Sequence, residues 1–232
     1  MGRTTDSTED KIKPIAIILP CYNSGRHLRY AIDSILESIS YPIKLFLIES
    51  ESTDGTDLVC DGYVQRYPDI IQTYHIPKKG ITMAINFGID KAGDMDVYLT
   101  QDDVIHFKLY NYDWIYLLKR TAENDNCGLV TTFGAGGIAG EEYLKGFPWC
   151  GTWSMFIPRE TINKIGKFDE AYSPGPGDDI DFTYRVIQAK LHIFAAPFWV
   201  DHHRLTEHQN DLEDIKQKNA LYFRKKFGFI KD

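Results

Sequence analysis

The chain has 232 residues, 43% of them hydrophobic and 25% charged, with a formal net charge of −7. That length allows one good-sized domain whose core needs neither disulfides nor a structural metal. The acidic balance argues against nucleic acid as a partner, and no window reaches the ~18 consecutive apolar residues of a transmembrane segment.

Residues 1–12 are polar and lack an apolar signal-peptide core, so they read as a disordered leader. Ile15 to Leu19 is an unbroken apolar run stopped by Pro20, the pattern of a fully buried strand. A turn at Cys21-Tyr22-Asn23-Ser24-Gly25 leads to a helix, because Leu28, Ala31, Ile32, Ile35, Leu36 and Ile39 share one face. Lys44 to Glu49 reads as a second strand, Ser52 to Thr56 as a loop with capping residues, and Asp57 to Tyr67 as a helix. Ile70 to Ile76 is a third strand. Pro77-Lys78-Lys79-Gly80 then opens a helix ending near Lys91, and Asp96 to Thr100 is a fourth strand. This alternation predicts a doubly wound α/β sheet, mixed but mostly parallel, with helices on both faces.

The second half predicts a helix over Asn111 to Asp125, a strand over Gly128 to Phe133 and a flexible glycine-rich loop over Gly134 to Gly140. A strand over Thr152 to Ile157 and a short helix over Arg159 to Gly166 follow. After an irregular turn at Ser173 to Gly177 come a helix over Asp178 to Lys190, a short strand near Phe198 to Val200 and an amphipathic helix from about Leu212 to Phe227. With no internal repeat and no long linker, residues 13–232 read as a single domain with halves 13–103 and 104–232. Cys21, Cys60, Cys127 and Cys150 form no CxxC pair and no zinc spacing, so they read as reduced, mostly buried thiols. That suits a reducing, cytoplasmic compartment.

In a doubly wound sheet, ligands sit beyond the carboxyl ends of the strands. Pro20–Asn23, Glu49–Asp54, Lys79–Asn86 and Gln101-Asp102-Asp103 converge there. The Asp102-Asp103 pair suits a hard divalent cation such as Mn²⁺ or Mg²⁺; the plainer alternative is a solvated pair capping the next helix. Asp178-Asp179-Ile180-Asp181 opens a helix, where the dipole favours acidic residues. Three carboxylates exceed what capping needs, and one could act as a general base toward a hydroxyl. At helical spacing Asp178 and Asp181 share a face and Asp179 points elsewhere. His202 and His203 lie on an extended segment and point to opposite faces, so at most one reaches a shared site. A surface or core imidazole is the simpler account of that pair. Trp149, Trp153 and Tyr172 could stack on a ligand or pack in the core.

Assembled, these segments resemble an inverting family 2 glycosyltransferase of the GT-A fold, from about Pro14 to Gly228. The resemblance is carried by Ile17-Ile18-Leu19-Pro20-Cys21-Tyr22-Asn23, by Ile48-Glu49-Ser50-Glu51-Ser52-Thr53-Asp54-Gly55-Thr56, and by Lys79-Gly80 with Asn86-Phe87-Gly88. Tyr98-Leu99-Thr100-Gln101-Asp102-Asp103, Ile165-Gly166-Lys167-Phe168-Asp169-Glu170, Asp178-Asp179-Ile180-Asp181-Phe182 and Phe223-Arg224-Lys225-Lys226-Phe227-Gly228 extend it. It implies a hexosyl- or deoxyhexosyltransferase that uses a nucleotide-diphosphate sugar donor, a divalent cation and a glycan or glycoconjugate acceptor. The donor would be held by Pro20, Cys21, Tyr22, Asn23, Glu49, Lys79, Gly80, Asn86, Gln101 and Asp102. The metal would fall to Asp102, Asp103 and His202, the last chosen because it alternates in phase with Val200. The base would be Asp179, with Asp178 as the alternative.

Two positions depart from the family pattern. Thr100 stands where the first Asp of the DxD motif is usual, and Asp178-Asp179 replaces the usual Glu-Asp. A sugar nucleotidyltransferase or a dinucleotide-binding dehydrogenase would want a Gly-rich phosphate loop after the first strand. Residues Pro20 to Gly25 supply a single Gly there. A non-catalytic carbohydrate- or nucleotide-binding protein on a degenerate transferase fold is the other reading.

Overall fold

The computed structural model describes residues 12–110, 112–203 and 213–230. The chain opens with β1 (Ile15–Cys21), α1 (Leu28–Ser38), β2 (Ile43–Glu49), α2 (Thr56–Arg66), β3 (Ile71–His75), α3 (Ile81–Lys91) and β4 (Val97–Leu99). It continues with β5 (Val104–His106), α4 (Trp114–Ala122), β6 (Cys127–Thr132), β7 (Gly136–Ile138), β8 (Pro148–Cys150), β9 (Met155–Ile157) and α5 (Arg159–Ile165). It ends with α6 (Asp178–Gln188), β10 (His192–Ala196), β11 (Val200–His202) and α7 (Glu213–Lys226).

Seven strands form one sheet in the order β10-β6-β9-β4-β1-β2-β3. β1 pairs in parallel with both β2 and β4. β9 runs antiparallel between β4 and β6, and β10 is parallel to β6. The sheet is therefore mixed and mostly parallel, as the alternation of elements predicts. β1 is apolar on both faces because both faces are covered. Ile15, Ile17 and Leu19 pack with Leu28, Ile32 and Ile35 of α1 and with Trp114 and Leu118 of α4. Ala16 and Ile18 face the other way, toward Ala84, Ile85 and Ile89 of α3 and Phe182 and Val186 of α6. Each such buried side chain contributes ~1.5–3 kcal/mol. The strand order reverses between β2 and β4 around β1, so the loops after β1 and β4 open into a shared crevice.

A third, smaller cluster joins Tyr143, Phe147, Tyr172, Ile180 and Phe223, and clamps α7 against α6 and the 139–147 segment.

Several boundaries differ from the sequence reading. Gly134–Gly140, expected as a flexible loop, carries β7, which pairs antiparallel with β8. Thr152–Ser154 is a single 3₁₀ turn, and only Met155–Ile157 is strand. α4 begins later than expected, because Asp113 caps it by accepting from the Ile115 and Tyr116 amides. The last short strand is shifted to Val200–His202, where it pairs with β5. β5, β8 and β10 were not expected; all are short, and β10 is a partly exposed edge strand. The leader expected over 1–12, the expected helix start at Asn111 and Leu212 lie, except for Ile12, outside the described residues. Among the described residues no helix is long and apolar enough to cross a membrane.

Candidate active site

A cavity of about 710 Å³ opens where β1 and β4 end, and reaches the start of α6. Its first wall is Pro20, Cys21, Tyr22 and Ser50, from the ends of β1 and β2. Two loops are laced together behind that wall. The Asn23 amide donates to Ser52 Oγ at 3.0 Å, and Asn23 Oδ1 accepts from the Thr53 amide at 2.9 Å. The Gly25 amide donates to Asp54 Oδ2, and the Ser24 amide to Thr56 Oγ1. Asn23 has a φ of +50°, a left-handed conformation that Asn tolerates better than most residues. Lys78 closes this end: its Nζ lies 4.0 Å over the Tyr22 ring and donates to the Tyr22 hydroxyl.

The floor comes from the end of β4. Gln101 and Asp102 line the cavity, and Gln101 Nε2 donates to Thr152 Oγ1 at 3.2 Å. Burial pushes the Asp102 carboxyl up to about 6, and the neighbouring charge of Asp103 adds to the shift. The Ser24 hydroxyl approaches Asp102 yet closes no hydrogen bond of ordinary geometry. Pairing of β5 with β11 sets His202 opposite Val104. This brings His202 Nε2 to 3.4 Å from Asp103 Oδ1 and turns the imidazole into the cavity. Trp153 stacks on His202 at 5.0 Å, and Trp149 meets Trp153 edge-on at 5.6 Å. His202 Nδ1 is buried and has no hydrogen-bond partner among the described residues. Among the described residues no three His, Cys, Asp or Glu side chains converge closely enough to hold a metal by themselves. Asp102 and Asp103 are nevertheless adjacent hard oxygen donors, the Asp102 carboxyl being raised by burial and further by the charge of Asp103. Such a pair fits a cation whose remaining ligands are substrate oxygens and water.

The far wall is built by α3 and α6 together. Gly80, with a φ of +93°, precedes α3 and lies so close to the 173–176 turn that a Cβ would meet Pro174 Cα and Ser173 Oγ at 2.5 Å. Thr82 Oγ1 donates to Asp178 Oδ2 at 2.8 Å. Asp178 is 5% exposed, whereas Asp179 is half-buried and faces both the main cavity and a smaller hollow of about 240 Å³. Burial and the charge of Asp178 push the Asp179 carboxyl up to about 8. Burial also raises Asp178, against the opposing bond from Thr82. Asp181 turns away, paired with Arg185 and Lys226. Although Asp178 and Asp181 were expected to share a face, it is Asp178 and Asp179, the residues named for the base, that line the cavity. These two are the first residues of α6.

Of the expected donor residues, Pro20, Cys21, Tyr22, Gly80, Gln101 and Asp102 line the cavity. Asn23 braces the wall from behind. Glu49 also lies behind it, 3% exposed, with its carboxylate accepting from the Ser52 amide and engaged by His75. Asn86 is a brace elsewhere: its Nδ2 donates to Phe168 O and Glu170, and its Oδ1 accepts from the Phe168 amide. Lys79 does not line the cavity; its carbonyl accepts from Ser173 Oγ, and Lys78 takes the inner place. Ser50, within the Glu49–Asp54 segment expected at this edge, lines the cavity; Thr152 and the Pro174–Pro176 turn were missed, and Trp149 and Trp153 prove to line the site. Tyr172 is fully buried in the third cluster. Thr100 is 1% exposed and does not line the cavity; its hydroxyl has no hydrogen-bond partner among the described residues.

The comparisons agree with this architecture. The minor teichoic acid biosynthesis protein GgaA of Bacillus subtilis (strain 168) is 33% identical over 87 residues, 36% of this chain and 20% of that protein. The glycosyltransferase GlyG of Streptococcus pneumoniae serotype 4 is 27% identical over 92 residues, 39% of this chain and 31% of that protein. The matched part thus spans less than a third of either relative. The fold superposes on that of GalNAc-T7, crystallised with UDP, GalNAc and Mn²⁺, with a TM-score of 0.68 at 12% identity, covering 82% of this chain and 45% of that one. It superposes on the mannosyltransferase PcManGT of Pyrobaculum calidifontis, in complex with GDP-Man and Mn²⁺, with a TM-score of 0.66 at 14% identity, covering 96% and 68%. The fold is therefore of the GT-A type. Residues 16–167, well over half of the chain, match the model of glycosyl transferase family 2, and the chain belongs to that family.

Proposed function

We propose that the chain is a metal-assisted, inverting glycosyltransferase that moves a sugar from a nucleotide-diphosphate donor to a hydroxyl of a glycan or glycoconjugate. One observation carries the reading: Asp102, just after β4, and Asp178-Asp179 at the start of α6 line a single cavity. The nucleoside end lies between Tyr22, Ser50 and Lys78, and the diphosphate near Gln101 and Asp102. Residues 13–103 supply this donor half, and residues 104–232 most of the acceptor half. Structural neighbours that hold UDP or GDP-Man with Mn²⁺ support this choice of donor class and cation.

Asp102 and Asp103 would hold Mn²⁺ or Mg²⁺, with His202 beside them. Once bound, the cation offsets charge growing on the leaving diphosphate. Asp179 faces the hollow beyond Pro176, where an acceptor hydroxyl is placed. With its raised pKa it is a strong base once ionised, and it takes the hydroxyl proton as the oxygen attacks the anomeric carbon. Direct displacement by that oxygen inverts the centre. Asp178, held by Thr82, keeps the helix mouth in place. Trp149 and Trp153 form an apolar shoulder that limits water near the reacting carbon.

The test is a panel of nucleotide sugars assayed for nucleotide diphosphate release, with Mn²⁺ or EDTA, followed by NMR of the product anomer. Cation-dependent transfer with inversion supports the proposal. Retention of configuration overturns the direct displacement. Tight donor binding with neither transfer nor hydrolysis supports a non-catalytic binding protein instead.

A further inference from the structure

We propose that His75, as an imidazolium bridging Glu49 and Asp61, positions the wall of the nucleoside end, and that donor affinity weakens as this ring loses its proton. The inference rests on the donor-site reading above. The parallel register of β2 and β3 sets Glu49 beside His75. His75 Nδ1 lies 3.0 Å from Glu49 Oε2, and Nε2 lies 3.1 Å from Asp61 Oδ1 on α2. Ionised carboxylates only accept hydrogen bonds, and a neutral imidazole has one N–H. A neutral ring would therefore set one nitrogen lone pair against a carboxylate oxygen. Only the doubly protonated ring donates to both.

The surrounding charges agree. Burial alone would raise the Glu49 carboxyl, yet the bonds from His75 and Ser52 hold it below its ordinary value. The bond to Glu49 raises His75 above its ordinary value against partial burial, and Asp61 adds to the rise. Glu49 on β2 and Asp61 on α2 are the charged groups that face the ring among the described residues.

The bridge reaches the cavity through one line of contacts. Glu49 Oε1 accepts from the Ser52 amide at 2.6 Å, and Ser52 Oγ accepts from the Asn23 amide at 3.0 Å. Asn23 follows Tyr22, which lines the cavity. A protonated His75 fixes the Glu49 carboxylate, Glu49 fixes the 50–53 loop, and that loop fixes the Tyr22 wall. Because the folded-state value is raised, the contribution is complete when the ring is protonated and is lost as pH rises through that value. Asp102, with its carboxyl near 6, acts in the opposite sense on cation-dependent binding, so a variant of His75 itself must isolate the effect.

Two measurements on the full chain test the proposal. First, the His75 ring is titrated by NMR in the wild type, Glu49→Gln and Asp61→Asn. The expected midpoint lies above the ~6.5 of a free histidine, falls in both variants, and is shared by the Ser52 amide shift. Second, UDP and GDP are titrated with Mg²⁺ into the wild type and His75→Gln from about pH 6 to about pH 9. His75→Gln should weaken the bound nucleotide roughly 2- to 10-fold at the acid end, as expected for a lost charge-assisted hydrogen bond. The gap should close at the alkaline end, with kcat unchanged at saturating donor. A ring midpoint at or below the free value, a Ser52 amide blind to it, or parallel pH profiles for the two proteins would overturn the proposal. If neither nucleotide binds the wild type at any pH, the donor-site reading fails together with the affinity claim, while the ring titration still decides the bridge.

Discussion

Thr82 in the first turn of α3 donates its hydroxyl to Oδ2 of Asp178, the first residue of α6, at 2.8 Å and across 96 positions of sequence. Both residues are buried. The bond occupies one carboxylate of the acidic pair and leaves its neighbour, Asp179, facing the cavity. Two adjacent aspartates thereby acquire different environments, which is how one local sequence can separate a positioning group from a reacting group.

The clearest consequence concerns the base. Asp179→Asn keeps the side-chain size and removes the proton acceptor, so kcat should fall roughly 10²–10⁴-fold while nucleotide affinity stays near wild type. Asp178→Asn keeps an oxygen for Thr82 and should cost less than ~10-fold in kcat, within the range of a single perturbed hydrogen bond. Single-turnover transfer with saturating donor measures both. The reverse order of severity would exchange the two roles.

A second consequence is a pH dependence. The Asp179 carboxyl is pushed up to about 8 by burial and by the charge of Asp178. Since kcat/KM reports the free enzyme, its acid limb should fall well above the ordinary carboxylate range. Asp178→Asn removes a negative neighbour, so the limb should move to lower pH. A limb that stays in place in this variant would show that Asp179 does not set it.

The same shift bears on stability. A carboxyl raised in the folded state is stabilising while protonated, and that contribution is lost as pH rises through the folded value. Asp179→Asn holds the site neutral at every pH. It should therefore melt higher than the wild type near pH 8 and not near pH 4. A gain of ~1 kcal/mol moves the midpoint of a chain this size by ~2–4 °C. Thermal unfolding of both proteins without divalent cation reads the difference.

Cation dependence should follow Asp102. Its carboxyl is raised to about 6 by burial, with Asp103 adding to the shift, so cation affinity should fall as pH drops through that value. Asp102→Ala should abolish the Mn²⁺-dependent part of nucleotide binding in a calorimetric titration and leave the unfolding midpoint close to wild type. Unchanged Mn²⁺-dependent affinity would remove Asp102 from the cation site.

Asn86 separates a brace from a ligand contact. It is 3% exposed and makes three hydrogen bonds to the 168–170 segment. Asn86→Ala leaves the buried Phe168 amide unpaired and should cost ~2–3 kcal/mol of stability, read by urea unfolding. Nucleotide affinity at a temperature where the variant is folded should change less than ~2-fold. A selective loss of nucleotide binding would return Asn86 to the donor site.

Much of this architecture was legible along the chain. Ile15 to Leu19 announces a strand covered on both faces, and the Leu28–Ile35 face announces its covering helix, because both patterns depend on neighbours within a few residues. The convergence of Pro20, Gln101 and Asp102 also followed, since strand ends in such a sheet share one edge. β10 and the β7–β8 pair were not legible. Their segments are short and partly or wholly exposed, and only pairing with β6 or with each other makes them strands.

The sequence by itself therefore determined the layered α/β sheet, the edge at which the cavity opens and the acidic residues grouped there. The tertiary structure decided how each polar side chain at that edge is held. Lys78 lines it and Lys79 does not. Glu49 turns from it to meet His75, a partner 26 positions away. Asp178 is claimed by Thr82, and Asn86 by Phe168 82 positions on. Local periodicity sets backbone conformation. The direction in which a polar side chain is finally held depends on which distant donor or acceptor the fold brings within about 3 Å.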